Sequence, residues 1–465
     1  MSCAKEQTLA EAMLKAKAPT DARKRLTQLF DEDSFTELDA YAKASCSQTG
    51  VIAGFGYIQG FPVFAFSQDI SVKGGAVGRM HAAKIKKVYD LATKTGAPII
   101  GIYDSNGANI DEGADALAAY GDIAMWTSNA SGVIPQISII AGTCAGSSAM
   151  IACMSDFVIM TEDAKLFMTP PYLSEEEGAG TAENAMKSGV ANFVCDNDDE
   201  AITLAQKLVA ILPANNLSPI PQFEFEENSP ATFGNDANIN VMAIADAGSV
   251  IEVSGGFGSN AYTALATLAG STVAFVATNK ADGKLTQCDS SKIARFVSIC
   301  DAYSIPVITL VDTEGFDPGN GELAGSIRDS AKLAHAYAEA TTTKISVITG
   351  KAYGSAYIAL AGTNAGADIT YAWENSVISA MEPVAAVEFL WHDKLSGAKD
   401  VSKKREELVK EYESTIATPF EVAAKGYIDD IISPEQTRAA LISAVEIMAS
   451  KRVSKMPKKH SNFPF

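Results

Sequence analysis

One stretch of the chain occurs twice and decides the fold. Residues 139–149 read IIAGTCAGSSA, and residues 347–357 read VITGKAYGSAY. Each copy is a short apolar run followed by a glycine-rich turn, which is typical of a buried strand that leads into a helix. A spacing of 208 positions separates the members of every matching pair: Gly146 and Gly354, Asp104 and Asp312, Gly107 and Gly315, Lys84 and Lys292. A constant spacing indicates an internal duplication, so we expect two copies of one domain.

The residues around both copies alternate between strand and helix patterns. In the first copy a hairpin is predicted at 51–57 and 62–67, strands at 99–103, 136–141 and 157–161, and helices at 77–95 and 115–129. In the second, strands are predicted at 250–253, 273–278, 307–311 and 345–349, and helices at 290–303 and 326–340. Residues 7–45 and 434–450 read as helical, and 213–238 reads as a linker. Apolar strands that alternate with helices predict an α/β fold with parallel sheets covered by helices.

Length and composition limit the function. A chain of 465 residues fits two domains, which we place at 1–220 and 221–465. The net charge of −19 argues against nucleic acid as a partner, because such binding needs a basic face. The seven cysteines form no C-x-x-C pair, so we predict free thiols and no metal site. The first residues lack a signal-peptide pattern and no apolar run could span a membrane, so we expect a cytoplasmic protein.

The two glycine-rich turns are suited to binding negative charge. Glycine allows unusual backbone dihedrals and close approach of a ligand. The helix that follows leaves its first amides unpaired, and its dipole favours an anion there. Two amides that point at one oxygen form an oxyanion hole, in which each donor stabilises the transition state by about 3 kcal/mol. A single turn of this kind is more often plain strand–helix packing, but two turns at matching positions favour a pair of anion sites.

At these residues the chain resembles the carboxyltransferase subunits of biotin-dependent acyl-CoA carboxylases, transcarboxylases and decarboxylases, of the propionyl-CoA carboxylase beta and methylmalonyl-CoA decarboxylase alpha type. The resemblance runs nearly from end to end. The motifs that carry it, in chain order, are 31–37 (DEDSFTE), 66–69 (FSQD), 74–75 (GG), 81–85 (HAAKI), 104–108 (DSNGA), 132–138 (GVIPQIS), 144–146 (CAG), 289–292 (DSSK), 310–312 (LVD), 315–319 (GFDPG) and 351–354 (KAYG).

The resemblance implies two tandem crotonase-like (ClpP/crotonase) domains, each a ββα superhelix. It implies transfer of CO2 between carrier-bound biotin and the α-carbon of a short acyl-CoA, such as propionyl/methylmalonyl-CoA or acetyl/malonyl-CoA. Two oxyanion holes would stabilise the enolates, with amides of Gly146 and Ser147 in one and of Ser355 and Ala356 in the other. Which hole serves which anion stays open. The N-terminal domain would hold CoA, and the C-terminal domain of a neighbouring subunit would hold biotin.

Other residues are predicted to bind the substrates. Cations and glycines at the start of a helix would contact the CoA phosphates: Lys73, Gly74, Gly75, Arg79 and Lys84. The pattern is equally compatible with a solvent-exposed helix face that binds no ligand. Three residues would line the first turn: Gly107, Ala108 and Ala145. Five would line the second: Gly315, Phe316, Tyr353, Gly354 and Ile358.

Four residues depart from the family pattern. Asn109 stands where the family has arginine, which puts one acyl-CoA contact in doubt. Ser147 and Ser355 stand where it has glycine, a change that keeps the backbone amides. Ile358 stands where many carboxylases have aspartate, so the acyl group is left open.

The expected partners are an acyl-CoA, a separate biotin carboxyl carrier protein, and either a biotin carboxylase or a membrane decarboxylase subunit. The subunit itself would form a dimer-based homo-oligomer such as a hexamer. Residues 185–187 (AMK) mimic a biotin attachment site but lack the flanking hairpin, so we expect no biotin on this chain. Alternative functions are the alpha subunit of a sodium-pumping glutaconyl- or methylmalonyl-CoA decarboxylase and a biotin-independent crotonase-like hydratase or isomerase. A non-catalytic scaffold is favoured only if Ser147 and Ser355 disrupt the holes.

Overall fold

The computed structural model describes residues 8–44, 47–226, 232–234, 236–281, 283–319, 325–360 and 362–464. The chain divides into two compact units, Met1–Pro221 and Gln222–Phe465. The two units divide between residues 221 and 222. The boundary expected from the sequence lies between residues 220 and 221.

The first unit contains the elements of one strand–helix domain. Its helices are α1 (Leu9–Ala16), α2 (Asp21–Leu29), α3 (Arg79–Thr95), α4 (Ala114–Ala130), α5 (Ser147–Ala152), α6 (Ala182–Lys187) and α7 (Asp198–Ile211). Its strands are β1 (Thr36–Leu38), β2 (Lys43–Ala44), β3 (Ser47–Gln48), β4 (Val51–Ile58), β5 (Phe61–Gln68), β6 (Ile99–Ser105), β7 (Gln136–Ala145), β8 (Phe157–Thr161), β9 (Lys165–Phe167) and β10 (Phe193–Cys195).

The main sheet of this unit has the order β1-β4-β5-β6-β7-β8-β10, and β9 pairs with the end of β7. The β4–β5 hairpin is antiparallel, with a turn in which Gln59 and Gly60 both have positive φ, as a two-residue type I′ turn requires. From β5 to β10 the strands are parallel, and every residue of β6 is buried. The predicted parallel strands are therefore confirmed from β5 to β10, within a sheet that is mixed because the β1–β4 and β4–β5 pairs are antiparallel.

The second unit repeats this plan. Its helices are α8 (Ala237–Ile244), α9 (Gln287–Ala302), α10 (Ser326–Glu339), α11 (Gly354–Leu360), α12 (Pro383–Leu390), α13 (His392–Ser396), α14 (Val401–Thr415), α15 (Pro419–Ala424) and α16 (Thr437–Met448). Its strands are β11 (Ile251–Glu252), β12 (Ala261–Leu268), β13 (Ser271–Thr278), β14 (Lys284–Leu285), β15 (Val307–Thr313), β16 (Gly315–Phe316), β17 (Lys344–Tyr353), β18 (Ile369–Trp373), β19 (Val377–Ser379) and β20 (Asp430–Ile432).

The second sheet has the order β11-β12-β13-β15-β17-β18-β20, with β19 beside the end of β17. It matches the first sheet strand for strand, which supports the duplication. The match extends to a local irregularity. The register shifts between Tyr103 and Ser105 where β6 meets β7, and between Val311 and Thr313 where β15 meets β17. Each shift lies just before a glycine-rich turn, so the bend of the strand is part of how the turn is presented.

Three details of the sequence reading are wrong. Residues 7–45 do not form one helix, because Pro19 and the capping residue Thr20 separate α1 from α2, and β1 follows. The strand β12 was missed because its alanines and threonines give no periodic signal, although every residue of it is buried. The region read as a linker includes the start of α8, whose N-cap is Asp236. Among the described residues, no helix is long and apolar enough to cross a membrane.

Candidate active site

The first glycine-rich turn joins β7 to α5. Gly146 has φ 65° and ψ −132°, a conformation that favours glycine, so the chain can reverse sharply between strand and helix. Among the residues that the structure describes, no side chain caps α5, and the first amides of a helix have no partner within the helix. Gly146 and Ser147 are both partly accessible. The turn can therefore present backbone N–H groups to a ligand.

One of the predicted donors is already used. The amide of Gly146 donates to the carbonyl oxygen of Phe167 in β9 at 2.8 Å, so the prediction that it stabilises an oxyanion is wrong. The short strand β9 pairs with Thr143–Ala145 of β7. The hydrogen bond from Gly146 to Phe167 continues this pairing by one residue. No sequence pattern indicates this pairing, because β9 has only three residues.

The structure brings Gly107 and Ala108 beside this turn. A Cβ built on Gly107, whose φ is 113°, would lie 3.7 Å from the carbonyl oxygen of Ala145. Val77 pairs with this segment through the carbonyl of Gly107 and the amide of Asn109. Alternate residues of an extended segment face opposite sides, so the amide of Ala108 faces away from Val77. It has no hydrogen-bond partner among the described residues, and Ala108 is exposed.

The second turn has the same construction. Gly354, with φ 59°, follows β17 and begins α11, in which Ser355 is exposed and Ala356 is buried. A Cβ built on Gly315, whose φ is 116°, would lie 3.9 Å from the carbonyl oxygen of Tyr353. Phe316 takes the place that Ala108 has in the first unit, since the amide of Asp317 donates to Leu285 at 2.9 Å. Both turns thus combine a helix start with a neighbouring glycine-containing loop.

Two predicted substrate-binding side chains, Tyr353 and Ile358, lie beside the second turn. Tyr353 is buried, and burial, together with nearby carboxylates such as Glu413 and Glu314, raises the pKa of its phenol, so the phenol stays neutral. Ile358 lies one turn after Ser355 on α11 and is 60% exposed. It borders a cavity of about 270 Å³ whose wall also includes Tyr357, Thr363 and Tyr427.

The cations predicted to bind CoA phosphates fall into two groups. Lys73 and Arg79 are exposed, 3.9 Å from Asp111 and 3.5 Å from Asp115 respectively, and exposed pairs of this kind are weak. Lys84 is 4% exposed and donates to the carbonyl of Val51 at 2.9 Å. The prediction that Lys84 contacts CoA is therefore wrong. Burial lowers the pKa of Lys84, and its ammonium holds the start of β4 instead.

The glycines of this segment are needed for packing. A Cβ on Gly75 would lie 2.4 Å from the carbonyl oxygen of Asp104, and one on Gly74 would lie 2.8 Å from the side-chain amide of Asn106. Lys73, Gly74 and Gly75 all have positive φ, which brings the segment tightly over the end of β6. Their role in substrate binding stays a prediction.

Asn109, where the family pattern has arginine, is engaged within the protein. Its side-chain amide donates to Glu112 at 2.7 Å, and the other oxygen of Glu112 accepts the backbone amide of Arg79 at 2.6 Å. Glu112 thereby provides a partner for one of the first backbone amides of α3. Asn109 is 8% exposed, so it orders the loop and helix at this place.

The triplet at residues 185–187 lies in helix α6, where Lys187 pairs with Glu183 at 2.6 Å. A helix is unlike the hairpin tip that a biotin attachment site needs. In the parts of the chain that the structure describes, no group of three His, Cys, Asp or Glu side chains could hold a metal ion.

Comparison with known proteins identifies the family. The carboxyl transferase domain family matches residues 17–463. The chain belongs to this family. It is 39% identical over 97% of its length to the methylmalonyl-CoA decarboxylase subunit alpha of Veillonella parvula, covering 94% of that protein. It is also 39% identical over 97% of its length to the propionyl-CoA carboxylase beta chain of Saccharopolyspora erythraea, covering 91% of that protein.

Solved structures agree with this assignment to the carboxyl transferase family. A crystal structure of transcarboxylase 12S, described as a hexamer with methylmalonyl-coenzyme A and methylmalonic acid bound, superimposes with a TM-score of 0.93 at 36% identity and 100% coverage of both chains. The predicted family and the crotonase-like α/β fold are confirmed. The chain is an enzyme of the biotin-dependent acyl-CoA carboxyltransferase class.

Proposed function

We propose that this chain is the carboxyltransferase subunit that moves a carboxyl group between carrier-bound biotin and the α-carbon of a three-carbon acyl-CoA. Propionyl-CoA would be the acceptor and methylmalonyl-CoA the donor, which are the two sides of one reaction. The observation that carries this proposal is the similarity over 97% of the chain to proteins named for these two thioesters. The duplicated turns support it, because carboxyl transfer needs a stabilised anion on each reactant.

The backbone amides of the turns would supply that stabilisation. When the carboxyl group leaves or joins the α-carbon, negative charge gathers on the thioester oxygen. For the first turn we assign the donors as Ser147, at the start of α5, and Ala108, whose amide has no hydrogen-bond partner in the described part of the chain. For the second we assign Ser355 and Ala356, with Phe316 in the place that corresponds to Ala108. Serine in place of glycine leaves these N–H groups intact.

Biotin, when bound, supplies the nitrogen that carries the carboxyl group. The second turn fits such a group, because Ser355 is exposed and Gly354 adds no side chain at the point of approach. We assign the acyl-CoA to the first unit and biotin to the second. The exposed cations Lys73 and Arg79, in the first unit, support the placement of the CoA phosphates there.

Two physiological settings fit the same half-reaction. In a decarboxylase, the chain would take the carboxyl group from methylmalonyl-CoA and work with a membrane subunit. In a carboxylase, it would give the group to propionyl-CoA and work with a biotin carboxylase. In both we expect a separate biotin carboxyl carrier protein, a homo-oligomer built from dimers, and a location in the cytoplasm. The similarity to a decarboxylase alpha subunit and to a carboxylase beta chain supports the two settings equally.

The test is an assay of the purified chain with free biotin and methylmalonyl-CoA. We expect biotin-dependent release of CO2 and formation of propionyl-CoA, with slower reaction of malonyl-CoA and glutaconyl-CoA. Equal turnover of the three thioesters would remove the assignment of the acyl group. No biotin-dependent loss of CO2 from any of them would contradict the proposed function.

A further inference from the structure

One aspartate occupies the strand irregularity before each turn. In the first unit, Asp104 accepts the backbone amide of Thr143 at 3.3 Å. In the second, Asp312 accepts the backbone amide of Lys351 at 2.8 Å. These four residues form two pairs at the same spacing as the rest of the repeat. Each aspartate therefore holds its neighbouring strand three residues before the glycine that begins the turn.

The space between the aspartate and the strand allows no side chain. A Cβ built on Gly142 would lie 2.2 Å from Oδ1 of Asp104, and one on Gly350 would lie 2.5 Å from Cγ and Oδ1 of Asp312. These are closer than any real contact, so the carboxylate fills the position that a side chain would have on β7 or β17. The strand is bent around it, at the place where the register shifts.

The two aspartates differ in what holds their second oxygen. Oδ2 of Asp104 accepts from Nη1 of Arg25 at 3.0 Å. The same guanidinium donates to Asp198 at 2.7 Å and to the carbonyl of Ala141 at 3.1 Å, and Arg25 is 8% exposed. Oδ2 of Asp312 instead accepts from the neutral side-chain amide of Asn279 at 2.7 Å. One turn is thus braced by a buried ion pair, and the other by a neutral hydrogen bond.

We propose that Asp104 and Asp312 are positioning residues for the two turns, and that Arg25 fixes the first of them. They bend β7 and β17 so that the amides at the start of α5 and α11 point at the reacting oxygens. The proposal rests on the proposed function, because it assigns these residues to the same oxyanion sites. As positioning residues they would act through the backbone amides that they accept.

The difference in partners predicts a difference in tolerance. In Asp104→Asn, one side-chain atom can still accept from Thr143, but the new amide faces the donors of Arg25, which cannot become acceptors. In Asp312→Asn, the new amide faces the side chain of Asn279, an amide that carries an acceptor oxygen as well as donors. A displacement of about 1 Å at a reacting group costs on the order of 10²-fold in rate. We expect that loss in kcat for Asp104→Asn and less than about a tenfold loss for Asp312→Asn.

The experiment compares four variants of the full chain with the wild type. Asp104→Asn and Asp312→Asn are the test pair. Arg25→Lys keeps the charge but cannot reach all three partners at once, and it remains available if Asp104→Asn does not fold. Asp246→Asn is the matched control, since Asp246 also pairs with an arginine, Arg438, and accepts the amides of Ala269 and Gly270, but at the β12–β13 hairpin.

The measurements are kcat and KM for biotin-dependent decarboxylation of methylmalonyl-CoA, the melting temperature, and hydrogen exchange. For Asp104→Asn and Arg25→Lys we expect a lower kcat with little change in KM. Exchange should accelerate at residues 139–152 and stay unchanged at 347–360. Asp246→Asn should leave kcat unchanged. The proposal is overturned if Asp104→Asn keeps its kcat, if Asp246→Asn loses as much, or if exchange accelerates equally throughout the chain.

The outcome separates this proposal from the proposed function. If the wild type releases no CO2 in the assay, the assignment of the reaction fails, but the exchange data still test whether Asp104 and Arg25 hold the turn. If the wild type is active and the turn of Asp104→Asn exchanges normally at full kcat, only the positioning proposal fails.

Discussion

The two units keep the same turn but brace it with different chemistry. In the first, a buried guanidinium joins Asp104 to Asp198 and to the backbone of β7. In the second, the carboxylate of the matching Asp312 accepts from the neutral side-chain amide of Asn279, and the hydroxyl of Thr278 donates to its carbonyl at 2.9 Å. After duplication, the carboxylate and the backbone were kept, whereas the partner of the carboxylate changed. The two units therefore share the shape of the turn but not the side chain that holds its aspartate.

A second pair of equivalent positions also carries different side chains in the two units. His81 on α3 and Asp289 on α9 are 208 positions apart and both are buried. A Cβ on Gly50 would lie 3.6 Å from Nδ1 of His81, and one on Gly258 would lie 3.0 Å from Oδ1 of Asp289. Asp289 accepts backbone amides of Asn260 and Ala261, each at 3.0 Å. A basic and an acidic side chain thus occupy equivalent places in the two units.

The largest expected effect comes from filling the space beside either aspartate. Gly142→Ala and Gly350→Ala place a methyl group on a carboxylate that cannot move without losing its partners. We expect a loss of more than about 3 kcal/mol in the free energy of unfolding and of at least about 10²-fold in kcat. Urea titration and the decarboxylation assay would measure these losses.

The control is Gly121→Ala, at an exposed position in α4 where a Cβ meets no atom within 4 Å. This change should stabilise the protein by up to about 1 kcal/mol, because alanine is the better helix former. Normal stability of Gly142→Ala would show that the space before the first turn is not restricted.

The next effect separates the charged brace from the neutral one. Arg25→Met leaves two aspartates without their cation and should reduce the free energy of unfolding by about 3 kcal/mol, because breaking a buried ion pair strands the remaining charge. Asn279→Ala removes one neutral donor and should cost about 1 kcal/mol. Urea titration of both variants provides the comparison. Equal losses would mean that the charge of Arg25 has no special part in bracing the first turn.

The next effect is the contribution of His81 to the pH dependence of the free energy of unfolding. Burial, and then the nearby charge of Lys84, lowers the pKa of His81 from its usual value to about 3. Between pH 6.5 and 3, His81 is therefore protonated in the unfolded chain but neutral in the folded chain. Stability from this source is present above pH 6.5 and is lost as the pH falls, by about 2 kcal/mol at pH 5.

The measurement is the free energy of unfolding at pH 7 and pH 5 for the wild type, His81→Gln and His392→Gln. We expect His81→Gln to lose less stability on acidification than the wild type does. The exposed His392 provides the matched control for the loss of one histidine. If His81→Gln follows the wild type over this range, another group causes the acid sensitivity.

The smallest effect concerns the CoA phosphates. Lys73→Ala should raise the KM for methylmalonyl-CoA by about fivefold, because an exposed charged hydrogen bond contributes about 1 kcal/mol. Lys351→Ala, which removes the partner of Glu314 beside the second turn, should leave that KM unchanged. The kinetics should be measured at low salt, where the contribution is least screened. A larger effect at Lys351 than at Lys73 would reverse the roles proposed for the two units.

Much of the fold could be read from the repeat, and the failures have physical causes. The buried strands β6 and β7 and the helices after them were predicted because apolar runs and glycines mark their ends. The strand β12 was missed because its composition is compatible with either a helix or a strand. Lys84 was misread because a lysine beside glycines suggests phosphate binding, and only the packing of α3 on β4 shows that it is buried.

The amino-acid sequence alone determined the duplication, the family and the position of both turns, because these depend on local patterns that repeat at a constant spacing. It also marked Asp104 and Asp312 as a matching pair. Only the tertiary structure decided which amides are free, since the amide of Gly146 is taken by Phe167 from a strand that lies about twenty residues along the chain. It likewise decided that Arg25 braces the first turn, because contacts between residues far apart in the chain follow from packing and leave no local pattern.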